Sequence, residues 1–160
     1  MHSLDLLRFF SLLFAGTLAG FEIGVHYGMG VPPASLRQEA QILLRQVMVL
    51  RLRVLAPALF FPTLAAAVAL VIHDGSGPGM WLRGLALGAL GLWIVFRVVR
   101  TVPINSATLT WRPEAPPENW RDLVEKTEKA HVLAAWAAVF AFACLLAATL
   151  RQQQQFAYGN

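Results

Sequence analysis

Two pairs of ionisable residues interrupt apolar sequence in this chain. Glu22 and His26 stand four positions apart, and Glu128 and His131 three apart. On a helix either spacing puts both side chains on one face. A carboxylate beside an imidazole is a general-base arrangement, and a Glu-x-x-His step on an inward helix face is how bundles hold metals. Asn105, two residues after Pro103, adds an amide that can stabilise a developing oxyanion. His131, Asn105, His26 and Glu22 are therefore the expected catalytic residues. Taken as a metal set, Glu22, His26, Glu128 and His131 supply oxygen and nitrogen donors that suit iron, copper or manganese. The cofactor expectation is one such ion or none. The competing reading is a buried Glu–His hydrogen bond that only holds helices together.

A second group has the character of ligand-contacting residues. Glu39, Gln46 and Arg53 recur at sevens and make a polar stripe. Arg53 lies nearest the membrane, where it can meet a carbonyl, a phenolate or a phospholipid. Trp111 and Trp120 pair an apolar ring with a polar N–H and suit an interface. Arg53, Trp111 and Trp120 are the expected cofactor-binding residues. By contrast, Arg121, Asp122, Glu125, Lys126 and Lys129 read as a solvated helix face laced by opposite charges four apart.

The elements that must position these groups are greasy. Of 160 residues, 57% are hydrophobic and 14% charged, with mean hydropathy +0.56. Soluble domains average about 45–50% apolar and about 25% charged. A net charge of +4 would otherwise suggest nucleic acid, but a soluble nucleic-acid binder is incompatible with the apolar runs. Cys144 is the single cysteine; it excludes an intrachain disulfide, and its apolar surroundings point to packing.

A spanning helix needs about 20 apolar residues. Four such spans are expected, at about 6–29, 54–72, 80–98 and 131–150. The first is too long for a signal peptide, and no small-residue cleavage site followed by a soluble domain is apparent. Ser35, with Gln38 as its capping-box partner, is expected to start a second helix running unbroken to Ile72, about 57 Å long. Pro116-Pro117 can open the fourth helix well before its apolar run. The expected fold is thus all-α: a single membrane-embedded four-helix bundle over 1–160, with helices 2 and 4 extended beyond the bilayer on one side. The expected loop at 101–120 is structured, a cap over the polar groups. HDGSGPG (73–79) reads as a tight turn and RQQQQFAYGN as a frayed tail.

Arginines and lysines gather on the side of the extensions. The positive-inside rule then makes that side cytoplasmic, with both termini outside, in a cytoplasmic (inner) membrane. Some of these arginines could instead line a cavity. Gly16, Gly20, Gly24 and Gly28 form a stripe through which a neighbouring helix could approach closely.

The run VPINSATLTW, the Pro-Pro stretch, NWRDL and His131 resemble the DUF1772 membrane proteins, which include the anthrone oxygenase-like family. The matching residues are Pro103, Asn105, Leu109, Trp111, Pro113, Pro116, Pro117, Trp120 and His131. The resemblance implies a small four-span monooxygenase that oxidises anthrones to anthraquinones. The functional expectation is a membrane oxygenase or oxidoreductase acting on a lipophilic phenol, anthrone or quinol that arrives from the lipid bilayer. The alternative is a non-catalytic accessory subunit, assembled as a homo-oligomer or within a larger membrane complex.

Overall fold

A computed structural model describes residues 3–29, 35–74, 77 and 79–158. Its helices are α1 (Ser3–Met29), α2 (Gln38–Asp74), α3 (Met80–Phe96), a π-helical turn (Arg97–Thr101), α4 (Val102–Thr108) and α5 (Trp120–Tyr158). No strand occurs among the described residues. Four helical stretches are long and apolar enough to cross a membrane: Ser3–Gly28, Gln38–His73, Met80–Thr108 and Trp120–Gln154. The chain is an all-α four-helix bundle. Helix is the natural choice for such runs, because it satisfies backbone polar groups that lipid cannot.

The bundle is organised around α5. Ala134, Ala138, Ala141, Leu145 and Ala148 are all buried and alternate steps of four and three, the spacing of a heptad seam. Small side chains at these positions let α1 and α3 come close on either side. From α3 the seam meets Ala86, Ala89, Leu90 and Trp93, and from α1 Ala15, Leu18 and Ala19. The ring closes through α1 on α2 and α2 on α3, the last being its thinnest contact. Gly79 opens α3 with φ of +98°, and Ala148 backbone atoms lie 3.2 Å from where a Cβ would sit. Both facts require glycine there.

Several local features depart from the sequence reading. α2 begins at Gln38, not Ser35: the Gln41 N–H bonds the Arg37 carbonyl, which puts Arg37 in the cap position. Beyond its start α2 does run unbroken, as expected, with Pro57 and Pro62 inside it. The third helical stretch does not stop near residue 98 but runs to Thr108. Pro103 cannot donate to the carbonyl four residues back and its ring crowds it; the π turn just before it widens the spiral at that point. The irregular segment is therefore shorter than 101–120. It is reduced to turns over 109–119, with an isolated bridge between Arg112 and Ala115. At the other end, helix continues through RQQQQFAY, the stretch expected to fray. Pro32, Pro33 and, in the 73–79 turn, Gly75, Ser76 and Pro78 lie outside the described residues.

The glycine stripe is only partly a packing surface. A Cβ on Gly16 would meet the Phe142 ring at 3.2 Å, but at Gly20, Gly24 and Gly28 nothing lies within 4 Å. Those three face outward, so within this chain they bring no helix close.

Candidate functional site

The thin seam between α2 and α3 holds a cavity of about 630 Å³. Its apolar wall is built by Phe60 and Trp93, whose rings stack with centroids 4.4 Å apart, together with Met48, Val49, Leu52 and Ile94. Its polar end receives His26 from α1, Arg45 and Arg53 from α2, Arg97 from the π turn, Asn105 from α4, and Glu128 and His131 from α5. A volume of this size lies within the range of about 300–1,000 Å³ typical of small-molecule pockets.

Two guanidiniums organise the polar end. Arg97 follows Trp93 by one helical turn and lies over its ring, 5.3 Å from the centroid. One of its terminal nitrogens donates to Glu22, and the other lies 3.3 Å from His131 Nε2. Glu22 is 0% exposed; such a carboxylate demands a counter-charge, because an isolated buried charge is very costly. Arg45 donates to Glu128 Oε1 at 3.1 Å and to Asn105 Oδ1 at 3.2 Å. On α2, Gln46 donates to the carbonyls of Thr108 and Trp111, each at 2.9 Å. It thereby ties the end of α4 and the following turn to α2.

Because a guanidinium only donates, these contacts assign the other groups. His131 must accept at Nε2, which puts its proton on Nδ1. Asn105 must offer Oδ1 to Arg45, which leaves its NH2 as a donor for the cavity. His26 Nδ1 is 4.0 Å from Glu128 Oε2, beyond hydrogen-bond range, and has no hydrogen-bond partner. The tautomer protonated at Nδ1 is favoured by that carboxylate and leaves Nε2 as an acceptor. Of the two histidines, His26 is therefore the better-placed base, and His131 positions Arg97.

Every expected catalytic residue is at this end of the bundle, but not as one constellation. Glu22 and His131 meet through Arg97, while His26 and Asn105 meet through Glu128 and Arg45. The expected metal set does not form. Among the described residues no three His, Cys, Asp or Glu side chains converge as metal ligands, because guanidiniums occupy the positions between Glu22 and His131 and beside Glu128. Arg53 lines the cavity as expected of a ligand-binding residue. Trp111 and Trp120 do not. They are buried with Ile42 and Val124 in a separate cluster, where large aromatic area stabilises the N-terminal halves of α2 and α5 against the 109–119 turns. Arg45 and Arg97 are the functional residues that sequence reasoning missed. The signal that could have found Arg97 is its position one turn after Trp93 at the end of a span, together with the need of Glu22 for a cation.

Comparison of the chain with family models, with curated proteins and with solved structures gives no match.

Proposed function

We propose that the protein is an integral membrane oxidoreductase of the oxygenase type, acting on a lipophilic phenol, anthrone or quinol that enters the α2–α3 cavity from the bilayer. The observation that carries this reading is the cavity itself: stacked aromatic walls lead to a polar end that holds a base, an amide donor and cations. The resemblance of residues 103–131 to the anthrone oxygenase-like proteins supports the same class.

For an anthrone, His26 takes a proton from the acidic C–H, with Glu128 stabilising the imidazolium that forms. The Asn105 NH2 and the nearby guanidiniums stabilise the oxyanion of the resulting enolate. The enolate carries the electrons that reduce dioxygen. A C–O bond forms at the deprotonated carbon, the second proton leaves that carbon, and the O–O bond breaks. One oxygen remains as the new carbonyl and the other departs as water. Nothing in this sequence routes through a metal; among the described residues no three His, Cys, Asp or Glu side chains converge as ligands.

We place the protein in a cytoplasmic membrane, with the polar end of the cavity in the cytoplasmic leaflet and both termini outside. The clustering of basic residues around that end supports this orientation.

The test is oxidation of anthrone by protein reconstituted in phosphatidylcholine vesicles under ¹⁸O₂. The expected result is anthraquinone formed well above the protein-free rate, with one labelled oxygen. A rate equal to that of empty vesicles would reject the reading. The outward-facing Gly20, Gly24 and Gly28 favour one second reading, an accessory subunit that docks through α1.

A further inference from the structure

Charge pairing at the polar end of the cavity leaves one side chain over. Arg97 is neutralised by Glu22 and Arg45 by Glu128. Arg53 lines the same cavity, yet among the described residues no carboxylate pairs with it and no hydrogen bond engages its guanidinium. The remaining charged or titratable groups facing the cavity are His26 from α1 and His131 from α5. His131 accepts from Arg97 at Nε2, and neither histidine supplies a negative charge. The site therefore carries one uncompensated positive charge at the edge of an otherwise apolar space.

We infer that this cavity holds its ligand as a monoanion, the form left once the proton is lost in the site: a ring-bearing lipophilic acid whose single charged oxygen meets Arg53 while its rings occupy the space along Phe60 and Trp93. The inference rests on reading this cavity as the substrate site, and it names the form in which the substrate is held.

The physical reasons are two. Arg53 is exposed yet lines the cavity, so an arriving anion that displaces its solvent gains a charge-assisted hydrogen bond against apolar walls, where such bonds are strong. The same arithmetic discriminates against other charges. A cation would meet uncompensated positive charge, and a dianion would bring a second negative charge for which the cavity has no unpaired guanidinium. A neutral phenol loses nothing on entering but gains nothing from Arg53. Selective stabilisation of the bound anion must therefore lower the pH at which the bound ligand ionises. For an oxygenase this is useful, because the anion is the form that reduces dioxygen.

The experiment uses 4-phenyl-2-nitrophenol, whose phenol and phenolate forms absorb at different wavelengths and which does not undergo anthrone-type oxidation. It is titrated with pH in the presence of the detergent-solubilised full chain and in protein-free micelles of the same detergent. The expected ionisation midpoint on the protein is at least one unit below that in micelles, a tenfold or greater preference for the anion. Arg53→Gln should abolish the shift and weaken phenolate binding about tenfold. Arg53→Lys should retain most of the shift, and the methyl ether of the probe should bind wild type and Arg53→Gln alike. Arg53 is largely exposed, so these variants fold, which a thermal melt checks. An unshifted or raised midpoint on wild type, or an equal shift on Arg53→Gln, overturns the inference. So does displacement of the probe by phosphatidylglycerol but not by phosphatidylcholine or a lipophilic carboxylic acid, which would assign Arg53 to a lipid headgroup. The outcome is separable from the oxygenase reading. Anthrone turnover without the shift removes only the anion inference, and the shift without turnover removes only the oxidation.

Discussion

The guanidinium of Arg97 donates to the carboxylate of Glu22, 75 positions earlier in the chain and on a different helix. This pair joins α1 to the π turn at the base of the cavity. It also sets the direction in which Arg97 faces His131. The architecture of the site depends on it more than on any single histidine.

Arg97→Met should lose folding stability, because it leaves the Glu22 carboxylate buried and unpaired. Removing one partner of a buried pair costs about 3–5 kcal/mol. Glu22→Gln combined with Arg97→Met should recover much of that loss, since it leaves neither charge. Thermal melts of the three detergent-solubilised variants check this. Equal melting of Arg97→Met and wild type would show that the pair contributes nothing.

Gln46→Leu should loosen the 109–119 turns while leaving the spans intact. It deprives the Thr108 and Trp111 carbonyls of their shared donor, a loss of about 1–3 kcal/mol for partly buried acceptors. Limited proteolysis should then cut within 109–119 faster than in wild type, with the fragment carrying α5 otherwise resistant.

Two glycine substitutions should behave in opposite ways. Gly79→Ala forces a side chain into a left-handed backbone against Ala148 and should cost about 1–3 kcal/mol. Gly20→Ala meets open space on a helix face and should change stability by less than about 0.5 kcal/mol. If Gly20→Ala instead alters the size of the detergent-solubilised particle, α1 is an assembly surface and the accessory-subunit reading gains.

Orientation is tested at the exposed tip of the 109–119 turns. A cysteine introduced as Glu114→Cys should react with an impermeant maleimide only after cells are permeabilised. Cys144, which is buried, should stay unlabelled in both conditions. Labelling of intact cells would invert the topology.

Much of this fold can be read from the sequence, because long apolar runs have few other structures open to them. The four spans and the lengthening of α2 and α5 on one side follow from run length and breaker positions. The grouping of Glu22, His26, Asn105, Glu128 and His131 at one end follows from where each falls along its span. Local signals were less reliable. The third span reads as ending near residue 98, yet a π turn carries the helix past Pro103 to Thr108. Gly20, Gly24 and Gly28 read as a packing groove, but which helix face meets a neighbour is a tertiary matter. Arg45 and Arg97 are hidden because arginines flanking a span are already explained by membrane orientation, and only the position of a buried carboxylate on another helix turns them inward. Trp111 and Trp120 carry the same ambiguity, since a tryptophan suited to an interface suits a core equally well.

The most direct test of the account compares turnover and stability in His26→Ala and His131→Ala reconstituted side by side. His26 makes no hydrogen bond through Nδ1 and lines the cavity, so its removal should leave thermal melting unchanged. Anthrone oxidation should nevertheless fall by about 10²–10⁴-fold, the contribution of a positioned general base. His131→Ala should lower melting temperature and activity together, since it releases Arg97. Undiminished turnover in His26→Ala, or a loss no greater than the loss of folded protein, would contradict the assignment of this cavity as a site of proton abstraction.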